Sequence, residues 1–286
     1  MTKNVSIYEV GPRDGLQNEI AIIPTAQKIA LIDLLTEAGF ARIEATSFVS
    51  PKWVPQLADA KEVMAGISRA QGVTYGVLTP NLKGAQMALA AGADEFAIFT
   101  SASEGFCQKN INCSIAESLV RFEPVMELAS EHSIPVRGYV SCIAACPYDG
   151  PVEPEAVGNV AKALFGMGCH EISLGDTIGA GTPDSISRAL EAVLAHVSAD
   201  NLAGHFHDTN DKALANVKAA LRLGLLSFDS AAGGLGGCPY APGAKGNISS
   251  RALVSMLEEE GFATGIDLDR LAAAEKLITS FHTPLR

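Results

Sequence analysis

The chain has 286 residues, of which 48% are hydrophobic and 19% are charged, and its formal net charge is −11. This composition allows a large buried core, and single α/β barrels reach this length. The negative balance argues against nucleic acid as the main partner, because phosphate binding favours a basic surface. No apolar run approaches the roughly 18 residues that a membrane helix requires, so no membrane partner is expected.

Six cysteines occur without any Cys-x-x-Cys pair: Cys107, Cys113, Cys142, Cys146, Cys169 and Cys238. Cys142 and Cys146 are four residues apart, but without a second pair, and with Pro147 directly after, this spacing is only a weak zinc signal. A strand-like run begins within a few residues of Met1, which leaves no room for a signal or transit peptide. We therefore expect reduced thiols and a cytoplasmic location.

Strand-like apolar runs alternate with helical patterns along the whole chain. The predicted strands are residues 5–10, 42–46, 73–78, 95–100, 136–141, 170–174, 203–207 and 227–232. The predicted helices are residues 25–38, 55–69, 82–91, 115–132, 154–167, 183–196 and 211–223, followed by 248–260 and 268–279. This order predicts one domain over residues 1–286, a (β/α)8 TIM barrel of the α/β class with extra C-terminal helices. The alternative, an open doubly wound sheet, lacks a Gly-x-Gly-x-x-Gly fingerprint after the first strand.

A TIM barrel builds its active site from the loops that follow the carboxyl ends of its strands. After the first predicted strand, Arg13 offers a planar cationic fork and Asp14 a hard oxygen ligand, although a surface ion pair is the alternative. Glu44 shares one face of the second strand with Arg42 and Thr46, because side chains alternate along a strand. We expect Glu44 inside the barrel, either near a metal or in a structural salt bridge.

Two later strands lead into polar, turn-rich segments, residues 101–107 and 141–150, which we predict to be loops at the same face. Asp176 comes just past the sixth predicted strand. It is a further carboxylate for the site, and a helix N-cap is the alternative.

The seventh strand carries the sharpest signal, His205-Phe206-His207-Asp208. Two histidines one residue apart in a strand point to the same side, so they can share one metal ion, with Phe206 turned toward the helices. Asp208 could orient one imidazole by a hydrogen bond. Together with Asp14 and Asn247, the histidines form a mixed nitrogen and oxygen set that suits Mg²⁺ or Mn²⁺, with zinc as an open alternative.

Residues 233–247 contain six glycines and two prolines, so no regular helix or strand is expected there. Cys238 stands in the middle of this segment. Glycine-rich loops often close over ligands, which could bring a thiol to a reacting atom. An ordinary turn with a chance cysteine is the alternative.

Several motifs resemble those of the 3-hydroxy-3-methylglutaryl-CoA lyase family. They are Ile7-Tyr-Glu-Val-Gly-Pro-Arg-Asp-Gly-Leu-Gln-Asn-Glu19, Ile43-Glu-Ala-Thr-Ser-Phe-Val-Ser-Pro-Lys-Trp-Val-Pro55, Lys109-Asn-Ile-Asn-Cys-Ser114, Leu174-Gly-Asp-Thr-Ile-Gly179, His205-x-His-Asp-Thr209 and Gly234-Leu-Gly-Gly-Cys-Pro-Tyr240. The resemblance implies a metal-dependent TIM barrel that cleaves the acyl-CoA substrate to acetyl-CoA and acetoacetate in leucine breakdown. A homodimer of this chain is compatible with this resemblance.

The resemblance also implies roles for individual residues. The Mg²⁺ or Mn²⁺ ion would be bound by Asp14, His205, His207 and Asn247. Arg13 would stabilise the enolate oxygen and bind substrate with Gln17, and Cys238 would be the catalytic thiol. Glu44 and Asp176 would complete the polar site, and His205 or Asp176 would relay the proton of the substrate hydroxyl.

The sequence departs from the family pattern at several loop positions. Lys245 stands where a serine is common, Asn210-Asp211-Lys212 replaces Tyr-Gly-Gln, Gly105 replaces leucine, and Pro242 changes the glycine-rich loop. These departures leave open a sister lyase for another 3-hydroxyacyl-CoA, of longer-chain or citramalyl-CoA type. Two further alternatives are a Claisen-type synthase of the same barrel and a non-catalytic acyl-CoA-binding protein.

Overall fold

The computed structural model describes residues 3–236 and 245–281. Eight parallel strands close into a barrel in which each strand pairs with its neighbours in sequence and the last pairs with the first. The barrel strands are β1 (Ser6–Glu9), β2 (Arg42–Ser47), β3 (Thr74–Leu78), β4 (Glu95–Ser101), β5 (Val136–Ser141), β6 (Glu171–Asp176), β7 (Leu202–Phe206) and β8 (Ser227–Ser230). The predicted (β/α)8 architecture is confirmed, whereas the extent of the domain stays a prediction.

Helices surround the barrel and cover its apolar outer face. They are α1 (Thr25–Glu37), α2 (Ala60–Gly66), α3 (Leu82–Ala90), α4 (Glu104–Ile111), α5 (Ile115–Glu131), α6 (Pro154–Gly166), α7 (Pro183–Leu194), α8 (Ala213–Arg222), α9 (Ser250–Glu259) and α10 (Leu268–Ser280). The two C-terminal helices are as predicted, and α10 packs against α1. None of the helices within the described ranges combines the length and the apolar character that crossing a bilayer requires.

The prediction of one helix over residues 55–69 is wrong. A short 3₁₀ turn, Pro55–Leu57, comes first, and α2 begins only at Ala60. In a continuous α-helix the carbonyl of Gln56 would accept a hydrogen bond from the amide of Ala60. Here that carbonyl accepts one from the buried ammonium of Lys28, which also pairs with Asp59 at 2.7 Å. A tertiary contact therefore delays the helix.

The prediction of an irregular loop over residues 101–107 is also wrong, because α4 begins at Glu104. Ser103 caps this helix by accepting a hydrogen bond from the amide of Phe106 at 3.1 Å. Gly105 made the segment look like a turn. In the structure a side chain at Gly105 would meet the carboxylate of Asp149, which accepts a hydrogen bond from the Gly105 amide at 2.7 Å.

Charged side chains, rather than apolar ones, fill the barrel below the strand ends. Arg137 is completely buried, and its guanidinium donates to both carboxylate oxygens of Asp229 at 2.7 and 3.1 Å and to Glu171 at 2.5 Å. Its Cζ lies 4.5 and 4.8 Å from the ring centroids of Tyr8 and Tyr139. Because a buried charge is tolerated only when it is paired and hydrogen-bonded, these contacts explain how an ionic layer can occupy the barrel interior.

Arg42 extends this ionic layer toward the amino-terminal end of the barrel. It donates to Glu171 and to Glu95, each at 2.9 Å. Glu95 in turn lies 3.2 Å from Nε2 of His170, whose side chain is partly exposed. The layer therefore runs from beneath the strand ends to the opposite surface of the barrel.

Candidate active site

A cavity of about 670 Å³ opens at the carboxyl ends of the barrel strands. Its walls include residues at or just past the carboxyl ends of seven strands, β1 to β7, and Gln17 is one of those that follow β1, as the barrel architecture predicts. Among them are Arg13, Asp14, His205 and His207. The structure thus brings together residues that are up to 194 positions apart (207 minus 13) in the sequence.

Asp14, His205 and His207 form a cluster whose ligand atoms all lie within 4.8 Å of one another. The two Nε2 atoms of the histidines face each other at 3.3 Å. Asn247 lies beside this cluster through a backbone bridge to His207, and its side-chain amide donates to Oδ2 of Asp14 at 2.8 Å. Two convergent imidazole nitrogens next to a carboxylate and a carboxamide fit a divalent cation.

Asp229, and not Asp208, orients the first histidine. Its Oδ2 lies 3.0 Å from Nδ1 of His205. Asp208 instead accepts a hydrogen bond from the amide of Ala213 at 3.1 Å, at the start of α8. The prediction for Asp208 is therefore wrong, because the chain turns outward after β7 and carries this carboxylate away from the imidazoles.

The two histidines have opposite electrostatic environments. Burial alone would lower the pKa of His205, but the hydrogen bond and the negative charge of Asp229 raise it above its ordinary value. Burial, together with the charge of His205, lowers the pKa of His207 to about 4. His207 is therefore neutral at physiological pH, which is the state in which an imidazole binds a metal.

Arg13 is held in one orientation by two carboxylates. Its Nε donates to Glu44 at 2.5 Å and its Nη1 to Asp14 at 2.7 Å. Burial opposes the charge of Asp14, yet the nearby Arg13 holds the pKa of Asp14 well below its usual range. The side chains of the Arg13–Asp14 pair are only 8% and 19% exposed, so the alternative of a surface ion pair is wrong, whereas the buried Glu44 lies inside the barrel as expected. The backbone here is a π-helical turn, Gly11–Gly15.

Asp176 itself does not line the cavity, although its neighbours Gly175 and Thr177 do. It is the last residue of β6 and completely buried, and its Oδ2 accepts a hydrogen bond from the amide of Gly181 at 2.9 Å. Burial raises the pKa of Asp176 to about 6, although hydrogen bonds from the backbone amides of Gly181 and Ala180 act to lower this pKa. Thr182, not Asp176, caps α7, so the N-cap alternative is wrong as well.

Three residues of the site region escaped the sequence analysis: Asp229, Arg137 and Tyr139. Tyr139 lines the cavity, and its ring centroid lies 6.2 Å from that of His205 in an edge-on arrangement. The Cζ atom of Arg13 lies over the Tyr139 ring, 5.5 Å from its centroid. Its buried hydroxyl has no hydrogen-bond partner within the described part of the chain. An acid or arginine inside an otherwise apolar strand, as at Asp229 and Arg137, is the signal that could have found two of them. Cys238 lies outside the described residues.

Glu9 is a buried acid that joins three segments behind the site. Its Oε1 accepts hydrogen bonds from the amides of Gly11 and Ala232, each at 2.9 Å. Its Oε2 accepts one from the hydroxyl of Ser250 at 2.5 Å. Glu9 thereby fixes the turn that carries Arg13, the start of the glycine-rich segment and the start of α9.

Comparison with known proteins gives consistent results. The profile of the HMGL-like family matches residues 4–278. A mitochondrial hydroxymethylglutaryl-CoA lyase of Arabidopsis thaliana is 57% identical over 277 residues, 97% of this chain, which spans 59% of that relative's length. The HMG-CoA lyase structure from Brucella melitensis is 59% identical with a TM-score of 0.97, covering 99% of this chain and 100% of that one. An HMG-CoA lyase structure from Acinetobacter baumannii, in complex with coenzyme A and 3-methylmalate, is 41% identical with a TM-score of 0.92, covering 97% and 91%.

The closed barrel, the site at its carboxyl end and these relatives define the class of the protein. It is a carbon–carbon lyase built on a TIM barrel. Within this class, the chain belongs to the HMGL-like family.

Proposed function

We propose that the protein cleaves 3-hydroxy-3-methylglutaryl-CoA to acetyl-CoA and acetoacetate, a step of leucine degradation. The observation that carries this proposal is the presence of Arg13 directly beside the Asp14, His205 and His207 cluster in one cavity. The relatives named above support the choice of substrate.

Asp14, His205, His207 and Asn247 would hold the cation, and the mixed oxygen and nitrogen donors favour Mg²⁺ or Mn²⁺. When bound, such a cation lowers the pKa of the substrate hydroxyl and orients it. Asp229 keeps a proton on Nδ1 of His205 and leaves its Nε2 directed at the cluster.

The cleavage breaks the bond between the α-carbon of the thioester and the carbon that bears the hydroxyl. The hydroxyl proton leaves, the carbonyl of acetoacetate forms, and the electron pair passes to the enolate of acetyl-CoA, which then takes up a proton on carbon. Arg13, fixed by Glu44 and Asp14, supplies positive charge for the enolate oxygen. Cys238 is the proposed donor of the final proton.

Of the two candidates for the hydroxyl proton, His205 lines the cavity and Asp176 does not. This supports His205 as the relay. A nitrogen that binds a cation has no lone pair for a proton, so His205 would relay the proton only in a state in which its Nε2 does not bind the cation and Asp14, His207 and Asn247 hold it. Glu44 acts through Arg13 in this proposal, and Gln17 contacts the acyl chain from the cavity wall.

Positive side chains explain how a protein with a net charge of −11 can take an anionic substrate. Lys109 and Arg121 line the same cavity as Arg13. Local cations of this kind attract phosphate and carboxylate groups regardless of the overall charge. The neighbour crystallised with coenzyme A supports a CoA thioester as the substrate of this chain.

Gly105 and Lys245, two of the departures from the family pattern, lie outside the cavity wall, whereas Pro242 lies outside the described residues. The space beside Gly105 is taken by Asp149, and Lys245 pairs with exposed Asp211. Neither Gly105 nor Lys245 lines the cavity. This favours the six-carbon hydroxymethylglutaryl group over the longer-chain or citramalyl alternatives.

We also propose a cytoplasmic location and a homodimer. The five cysteines within the described residues are all free and buried, which is compatible with a reducing compartment.

The test is to incubate the purified protein with 3-hydroxy-3-methylglutaryl-CoA and either Mg²⁺ or Mn²⁺, and to follow acetoacetate. Citramalyl-CoA and a longer-chain 3-hydroxyacyl-CoA serve as matched substrates, and acetyl-CoA with a keto acid tests the synthase alternative. We expect cleavage of the first substrate that stops when the metal is chelated. Absence of turnover with both metals would contradict the proposal, and faster cleavage of a matched substrate would reassign it.

A further inference from the structure

We propose that Lys245 and Asp211 are a positioning pair, whose ion pair holds Asn247 at the metal cluster. The inference rests on the proposed function, since it assigns a task to the segment that carries one of the proposed ligands. Both residues lie outside the cavity wall and touch none of the reacting groups.

Two short segments meet beside the cluster, and their backbones are joined by hydrogen bonds. The amide of Asp208 donates to the carbonyl of Gly246 at 2.7 Å, and the hydroxyl of Thr209 donates to the carbonyl of Lys245 at 2.9 Å. The bridge between His207 and Asn247 continues this pairing directly to the site. The position of Asn247 therefore depends on how firmly residues 245–247 are held against residues 207–209.

The side chain of Lys245 adds charge to this junction. Its ammonium hydrogen-bonds to Oδ1 of Asp211 and lies 3.6 Å from Oδ2 of Asp208. The only other described contacts of the segment's side chains toward the site are those of Asn247, with Asp14 and the carbonyl of Leu235. Lys245 therefore pairs with Asp211 on the side of the segment away from the site, and Asn247 contacts Asp14 on the side that faces the site.

The backbone at Asp211 is compatible with a carboxylate that faces Lys245. Asp211 has φ +56°, in the left-handed region that glycine adopts without strain. Aspartate is one of the few residues other than glycine that are enriched in this conformation, so the chain can present a carboxylate to Lys245 at this point.

The Lys245–Asp211 ion pair is exposed to solvent, so its effect on cation affinity should be small and should depend on the salt concentration. The side chains of Lys245 and Asp211 are 65% and 76% accessible, so their attraction is screened by salt. Exposed pairs of this kind change an equilibrium by about two- to fivefold. We expect an effect of that size on the affinity for the cation, and we expect it to fade at high ionic strength.

The experiment measures Mn²⁺ affinity by electron paramagnetic resonance of the free ion, with four variants at 0.05 and 0.5 M KCl. They are Lys245→Ser, Asp211→Asn, the double variant and Lys245→Arg. Asparagine keeps the tolerance for the left-handed conformation while it removes the charge. Each neutral variant should bind Mn²⁺ about two- to fivefold more weakly at low salt, the double variant should be no worse than either single one, and arginine should restore the affinity.

A matched control is Lys218→Ser, which breaks another exposed ion pair, Lys218–Glu260 at 2.6 Å, between α8 and α9. It should leave the Mn²⁺ affinity unchanged. Additive losses in the double variant, or wild-type affinity in the single variants, would overturn the positioning role while the proposed function stands. A wild-type protein that binds no Mn²⁺, and shows no turnover with Mg²⁺ or Mn²⁺, would overturn both.

Discussion

Replacing Asp229 with asparagine is the sharpest test of how the barrel interior prepares the site. Asp229 is 2% exposed and contacts His205 on one side and Arg137 on the other. Its negative charge fixes the proton of His205 on Nδ1. The asparagine side chain would keep the size of the aspartate but lose this charge.

The size of the effect follows from these contacts. Loss of a carboxylate that orients a metal-binding histidine typically weakens metal affinity by about 10- to 100-fold, or about 1.4–2.7 kcal/mol. Asp229 also accepts two bonds from Arg137, at 2.7 and 3.1 Å, and one from Ser173 at 2.9 Å. Hydrogen bonds to charged groups contribute roughly 1.5–3 kcal/mol each, so we expect a clear loss of stability as well.

The assay combines Mn²⁺ titration with thermal unfolding, because the two effects must be separated. Glu171→Gln is the matched control: Glu171 is the other partner of Arg137, at 2.5 Å, and has no described contact with His205. Both variants should unfold at a lower temperature. Only Asp229→Asn should also weaken Mn²⁺ binding, by about 10- to 100-fold.

Two results would refute this reasoning. One is a folded Asp229→Asn protein with unchanged Mn²⁺ affinity, which would show that the proton on His205 is fixed by other means. The other is an equal loss of affinity in Glu171→Gln, which would assign the effect to the whole ionic layer rather than to one carboxylate.

Three further outcomes are expected. Cys238→Ser should cripple steady-state turnover and keep Mn²⁺ affinity, whereas His207→Ala should weaken Mn²⁺ binding itself; equal metal loss in both would contradict these separate roles. Burial raises the pKa of Glu9 to about 7 from an ordinary value of 4.5, so its contribution to stability is present below pH 4.5 and lost as the pH rises through 7. The free energy of unfolding of the wild type should therefore decrease by about 3 kcal/mol between pH 4.5 and 7 because of Glu9, and Glu9→Gln should lack this decrease. Unfolding temperatures of Glu9→Gln that decrease with pH as much as those of the wild type would contradict this role of Glu9. Lys109→Met should raise KM about three- to tenfold at constant kcat, as expected for uniform binding; Lys83→Met, on the outer helix α3, is its control.

Much of this architecture could be predicted because it follows from the periodicity of apolar and polar residues within single segments of the sequence. The alternation of strands and helices gave the barrel, and the two-residue period of β7 placed His205 and His207 on one side. The family prediction is confirmed by the comparisons. Each of these features depends on residues that are neighbours in the sequence.

The remainder depends on partners that are distant in sequence. Asp208 was the nearest acid to the histidines along the chain, but Asp229 from the next strand is the acid that contacts Nδ1 of His205. The delayed start of α2 depends on Lys28, in another helix, and the start of α4 on Asp149, beyond the next strand. No periodicity reports such contacts, because they exist only after the barrel has closed.

The ionic layer beneath the site has a kinetic consequence. With Arg137 and its partners filling the interior, the cavity is closed at its floor, and substrate and products pass at the carboxyl ends of the strands. In the proposed reaction the acyl group lies at the cluster of Asp14, His205 and His207, so acetoacetate would form on the inner side of the thioester. The small product must then leave past the bound CoA or wait for it to depart. The inhibition by acetoacetate should therefore depend on whether acetyl-CoA is also bound.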